Sequence, residues 1–129
     1  MLVVDASVLV SSLVALESEG AWSATLVRQG DLLAPQLVLV EATNTLRKLE
    51  MRGKVRPAEA QSACHELTRL AVSLVPFAPV SDRVWELRRN LTAYDAWYVA
   101  VAEAFDLPLA TLDRRLAAAP GTRCSFLTP

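Results

Sequence analysis

Leu2-Val3-Val4-Asp5-Ala6-Ser7 is the stretch whose reading decides the fold. Its apolar start, rich in β-branched valine, reads as a strand buried on both faces. Asp5 then ends the run, and Ser7 follows at once in what reads as the start of a helix. An acid in apolar company is costly to bury unless something cationic meets it. The same juxtaposition recurs along the chain. Glu41 sits inside Leu37-Val38-Leu39-Val40-Glu41-Ala42, Asp95 opens Tyr94-Asp95-Ala96-Trp97-Tyr98-Val99-Ala100, and Asp113 closes Leu109-Ala110-Thr111-Leu112-Asp113. Four such acids suggest a shared divalent metal, and a metal held by carboxylates suggests phosphoryl-transfer chemistry.

Outward from that first strand, short apolar runs alternate with longer amphipathic ones. The pattern predicts helices over Ser7–Leu16, Ala21–Gln29, Leu37–Met51, Pro57–Leu70, Ser81–Asn90, Thr92–Phe105 and Arg114–Ala118. It predicts strands over Leu2–Asp5, Leu32–Ala34, Val72–Val75 and Leu109–Thr111, with Cys124–Leu127 as a possible last one. Gly30 and Gly53 end helices, and Pro57 stands at a favourable first-turn position. Apolar strands separated by helices imply an α/β fold with parallel pairing and helices on both faces. Ligands of such sheets bind at the carboxyl ends of strands, near a switch in strand order. Asp5 and Asp113 fall at or just past strand ends, and the helices carrying Glu41 and Asp95 can line the same crevice.

The 129 residues fit a single domain over 1–129, and a hydrophobic content of 53% favours a packed core over disorder. No apolar run is long enough for a membrane span, and the N-terminus lacks a basic leader, so the expected location is the cytoplasm. Cys64 and Cys124 are too few and too far apart for a disulfide framework or a zinc site. The net charge of -1 comes from 13 bases and 14 acids. If four acids form one metal site, ten remain against 13 bases, which is compatible with a polyanionic substrate without demanding one. His65 is the only histidine, so a histidine-rich metal site is excluded. An all-oxygen ligand set favours Mg2+ or Mn2+ over Zn2+.

Each acid also has a structural explanation. Asp5 or Ser7 can cap the following helix. Glu41, Asn44, Thr45 and Lys48 share one helix face, which is either a solvated stripe or a crevice wall on which Asn44 positions Glu41. Thr92-Ala93-Tyr94-Asp95 has the form of a capping box. Asp113 can cap the short helix after it. Of the remaining acids, Asp82 reads as a helix cap and Glu17, Glu86 and Glu103, among others, as exposed helix residues. Trp22, Trp85 and Trp97 belong to the core or to an interface, with the core favoured.

With these residues in view, the chain resembles the PIN-domain ribonucleases, and within them the VapC-type toxins of bacterial toxin–antitoxin pairs. The resemblance rests on Val4-Asp5-Ala6-Ser7, Glu41-Ala42-Thr43-Asn44-Thr45-Leu46, Leu91-Thr92-Ala93-Tyr94-Asp95-Ala96 and Leu109-Ala110-Thr111-Leu112-Asp113-Arg114-Arg115, in that order over nearly the whole chain. It implies a three-layer α/β/α sandwich around a mostly parallel sheet of four to five strands. It also implies that Asp5, Glu41, Asp95 and Asp113 form the family's acidic quartet, catalytic and metal-binding, with Ser7, Asn44 and Thr111 in support. The activity implied is endoribonucleolytic and dependent on Mg2+ or Mn2+. The partners implied are RNA, a VapB-type antitoxin and a second copy of the chain.

For this chemistry, Lys48, Arg114 and Arg115 are candidate contacts to the RNA backbone. Any carboxylate not fully engaged with metal is a candidate general base. The rival reading is a catalytically inactive module that binds RNA or a partner, and the intact acids count against it. A phosphatase-like domain would want an acid where Ser7 stands, and a receiver-like domain a late lysine, whereas the last lysine is Lys54.

Overall fold

The computed structural model describes residues 1–14 and 18–129. A five-stranded sheet is built from β1 (Leu2–Val4), β2 (Leu32–Pro35), β3 (Val72–Val75), β4 (Leu109–Ala110) and β5 (Phe126–Leu127). The order is β3-β2-β1-β4-β5, and every neighbouring pair is parallel. The mostly parallel sheet expected from sequence is thus wholly parallel, between two helical layers. Val3 and Val4 are fully buried, as a strand covered on both faces requires.

The helices are α1 (Ala6–Leu13), α2 (Glu19–Gln29), α3 (Val38–Met51), α4 (Pro57–Leu67), α5 (Ser81–Glu86), α6 (Ala93–Ala104) and α7 (Arg114–Ala117), with a 3-10 turn at Ala78–Val80. Helices α1 to α4 pack on one another, while α6 lies against β1, β2, β4 and α5. Small residues make the approach of α6 to the sheet possible. Ala96, Ala100 and Ala102 are buried beside Val99 and Val101, so the helix presents almost no polar stripe to the core.

Two expected helices are shorter than their patterns suggested. The one expected over Pro57–Leu70 ends at Leu67, where Thr68 caps it. The one expected over Ser81–Asn90 gives way after Glu86 to tight turns closed by Asn90 N–H to the Leu87 carbonyl, 3.0 Å. The last residues of the expected Ser7–Leu16 helix, and Glu17, lie outside the described residues. Asp82 is a first-turn residue of α5 and not its cap, because Val80 occupies that position. Trp22 and Trp97 pack against the core, but Trp85 stands 68% exposed.

The chain runs from β1 to β2 and β3 in one direction, then returns to the other side of β1 for β4 and β5. The switch in strand order therefore falls at β1, and the crevice it opens lies at the carboxyl ends of β1 and β4. Because α6 feeds the amino end of β4, its own N-terminus lies at that carboxyl edge.

Candidate active site

Asp5 is the centre of this edge. It is the N-cap of α1, and its Oδ1 accepts from the Val8 N–H at 3.1 Å and from the Ser7 hydroxyl at 2.5 Å. Its Oδ2 accepts a hydrogen bond from the Thr111 hydroxyl, which crosses from the end of β4. The Leu112 N–H donates to Ser7 Oγ at 3.1 Å, and the Asp113 N–H to Thr111 Oγ1 at 2.9 Å. Ser7 and Thr111 thus tie the loop after β4 to the first acid. Burial pushes the Asp5 carboxyl above its ordinary range, and the bonds from Ser7, Thr111 and Val8 only partly offset this.

Glu41 projects from the first turn of α3. Its Oε1 accepts from the Tyr98 hydroxyl at 3.1 Å. Burial raises its pKa, the Tyr98 bond opposes the rise, and the charges of Asp95 and Asp5 add to it. Tyr98 is 1% exposed, and burial followed by the Glu41, Asp5 and Asp95 charges pushes its phenol far up, so it remains a donor. Tyr98 is the site residue that sequence reasoning missed. Its position three residues after Asp95 on α6 was the available signal, since that spacing puts both on one helix face.

Asp95 lies in the first turn of α6, whose N-cap Thr92 accepts the Asp95 N–H at 3.2 Å. The capping half of the two readings therefore holds and leaves the carboxylate near the helix N-terminus. Burial, then the Asp113 charge, raises its pKa. Asp113 caps α7, with Oδ1 accepting from the N–H groups of Arg115 at 2.9 Å and Leu116 at 3.2 Å.

Asn44 does not join this group. It is exposed on α3, and its Oδ1 accepts from Arg47 Nε at 3.0 Å, so the orientation of Glu41 falls to Tyr98 instead. Arg115 lines a groove of about 560 Å³ with Asp95 and Asp113. Lys48 and Arg114 are exposed. Among the described residues none of these cations forms an ion pair, and no cation is paired with any of the four acids.

Burial is the first cause that raises Asp5, Glu41 and Asp95, and at Glu41 and Asp95 the charge of neighbouring acids adds to it, with no paired cation among the described residues to relieve it. Among the described residues, Glu41 Oε2 and Asp113 Oδ2 accept no hydrogen bond. An all-oxygen donor set with free lone pairs suits a hard divalent cation. No three of the acids already stand around one point as a ligand cage. The fit is therefore one of donor chemistry and charge.

Comparison with known proteins identifies the family and the fold. Residues 2–121 match the family model described as the PIN domain. Ribonuclease VapC9 of Mycobacterium tuberculosis is 40% identical over 124 residues, spanning 96% of this chain and 94% of that protein. The crystal structure of PAE2754 from Pyrobaculum aerophilum superposes with a TM-score of 0.73 at 28% identity, covering 96% of this chain and 81% of the other. VapC20 of Mycobacterium tuberculosis, described as a toxin that cleaves the sarcin-ricin loop, shares the fold with a TM-score of 0.67 at 19% identity, over 95% of this chain and 97% of its own.

Proposed function

This chain belongs to the PIN-domain family, among its VapC-type ribonucleases, and from that premise we propose that it is an endoribonuclease dependent on Mg2+ or Mn2+. In this reading it is the toxin of a toxin–antitoxin pair and restrains translation or growth. The observation that carries the proposal is the set of acids at the carboxyl edge of β1 and β4, of which Asp5, Glu41 and Asp95 have raised pKa values and none is paired with a cation among the described residues.

Asp5, Glu41, Asp95 and Asp113 would hold the ion. When bound, it would supply Lewis-acid stabilisation of charge on the scissile phosphate and acidify nearby water. The protein's own residues do the rest. Ser7 and Thr111 hold the Asp5 carboxylate in one orientation from two separate elements. Tyr98 anchors Glu41 by Oε1 and leaves Oε2 free, as the α7 backbone leaves Asp113 Oδ2, and a carboxylate oxygen not engaged with the ion would take the proton of an attacking water. The backbone of α7 orients Asp113 by Oδ1. Arg115 lies in the groove beside two of the acids, where a phosphate would otherwise meet only negative charge. Lys48 and Arg114, both exposed, would be further contacts to the RNA backbone.

A VapB-type antitoxin and a second copy of the chain are the expected protein partners. Val40, Phe77 and Tyr94 are 64%, 42% and 61% exposed, leaving apolar surface for such contacts. The expected compartment is the cytoplasm. Among the described residues no helix is long and apolar enough to cross a membrane.

The test is cleavage of total cellular RNA by purified wild-type protein and Asp95→Asn, with Mg2+, Mn2+ or EDTA. Discrete, metal-dependent fragments absent from the variant are expected. Intact RNA after incubation with folded, antitoxin-free wild type would remove the nuclease and favour a binding module.

A further inference from the structure

The groove that contains Asp95, Asp113 and Arg115 also runs past Asn90 and Leu91, the residues that lead from α5 to α6. Just upstream of that wall stands Trp85, 68% exposed, while Trp22 and Trp97 are packed against the core. The Arg88 guanidinium lies over the Trp85 ring, 4.5 Å from its centroid. Arg88 Nη1 also donates to the Trp85 carbonyl at 2.9 Å, so the pair is held in place by two contacts. A guanidinium on one face of an indole and an exposure of 68% leave much of the remaining ring surface open to solvent.

The segment from Trp85 to Leu91 is wound into tight turns by the Arg88, Asn90 and Leu91 N–H groups, at 3.2, 3.0 and 3.0 Å from their acceptors. At the rise of helical turns, Trp85 and Asn90 are separated by roughly 8–10 Å. Arg89 follows Arg88, exposed, and forms no ion pair among the described residues. The one acid of this strip, Glu86, is paired with Arg83, so the strip offers an open aromatic face beside two guanidinium groups, Arg88 and Arg89, that form no ion pair among the described residues.

We propose that Trp85 and Arg88 form a stacking platform for an unpaired base of single-stranded RNA on the segment that leads into the groove wall at Asn90 and Leu91, with Arg89 against the adjoining phosphate. The proposal rests on the ribonuclease reading of the site and deepens it. Four carboxylates repel a polyanion, so the free energy that holds RNA must come from outside them. Aromatic faces stack unpaired bases with little regard to sequence, and arginines hold the backbone. A protein partner anchored on Trp85 is the competing occupant. The neighbouring unpaired arginines favour the polyanion.

The test is fluorescence anisotropy of an end-labelled, unstructured RNA of about eight nucleotides, a length within single-strand site sizes. It is titrated in Mg2+ with the full-length Asp5→Asn protein, alone and combined with Trp85→Ala or Trp85→Phe. Trp85→Ala is expected to weaken binding by about fivefold or more, the lower end for one stacked base. Trp85→Phe should restore most of the loss. Thermal stability and sedimentation should be unchanged in both. Equal affinity in all three proteins would overturn the platform. Weakened binding that tracks a shift from dimer to monomer would also overturn it, and would assign Trp85 to a protein interface. The two readings separate cleanly. Trp85-dependent binding by a wild type that cleaves no RNA keeps the platform and removes the nuclease. Cleavage and binding that both ignore Trp85 do the reverse.

Discussion

Helix α6 carries an acid near each end, and the two ends treat their acids in opposite ways. At the C-terminal end, Glu103 accepts from Arg83 Nε at 2.6 Å and Nη2 at 3.1 Å, and from the Arg123 N–H at 2.7 Å. Arg83 also donates to the Gly121 carbonyl at 2.9 Å, so one bidentate pair fastens α5, α6 and the C-terminal loop together. Burial would raise the Glu103 pKa, but the Arg83 and Arg123 groups outweigh it and bring it down. At the N-terminal end, Asp95 has no ion-pair partner among the described residues; burial, then the Asp113 charge, raises its pKa, and the Thr92 side chain offsets only part of the rise. Burial acts in the same direction at both ends. What differs is whether the fold supplies the compensating cation. Where it does, the acid holds the structure together. Where it does not, the acid is left for something brought from outside.

The largest contrast should come from Asp5→Asn. RNA cleavage is expected to fall by more than the roughly 10- to 100-fold that losing an outer partner of a metal site costs, with the circular dichroism spectrum unchanged. Cleavage at the wild-type rate would erase the distinction between the two ends. Glu103→Gln should do the opposite. It removes one partner of a pair whose side chains are 20% and 12% exposed, and should cost about 2 kcal/mol, short of the roughly 3–5 for a fully buried pair. Chemical denaturation measures the loss, and cleavage per folded molecule should stay the same.

Tyr98→Phe probes the acidic end more gently. It keeps the ring in the core and removes only the donor to Glu41. Mn2+ affinity, measured by calorimetric titration, is expected to weaken by about tenfold, as for other outer-shell partners. Undiminished Mn2+ affinity would deny Tyr98 its positioning role.

The smallest effect is the one with a sign. A carboxyl whose pKa is raised on folding is protonated more readily in the native state. Its stabilising contribution is present below the ordinary value of 4.5 and is lost as the pH rises through the raised one. In EDTA, Glu41→Gln should therefore slightly raise the melting temperature at pH 7 and flatten its dependence on pH. Glu103 has a lowered pKa, so its contribution is present above 4.5 and is lost on acidification. Glu103→Gln should alter the same profile with the opposite slope. Two shifts of the same sign would show that the acids at the two ends are not electrostatically different.

The amino-acid sequence by itself determined the alternation of strands and helices and the parallel pairing, and it singled out the four acids as candidates. Those are local properties. A run such as Leu2-Val3-Val4 can bury both faces only in a covered parallel sheet, and an acid that breaks an apolar run stands out wherever the chain goes. Thr92 was readable as a cap for the same reason, because its bond spans a single helical turn.

Tertiary structure alone decided which polar groups meet. Tyr98 reaches Glu41 across two elements, Arg83 finds Glu103 instead of leaving it on an exposed face, and Thr111, already expected in support of the acids from the family resemblance, has Asp5 as its partner. Asn44, one turn from Glu41 and apparently its natural partner, bonds Arg47 instead. Trp85 reads like the other two tryptophans in sequence, but α5 turns Val84 and Leu87 into the core and leaves Trp85 in solvent. A hydrogen bond of 3 Å between distant residues depends on strand order, helix length and packing, and no local pattern encodes all three.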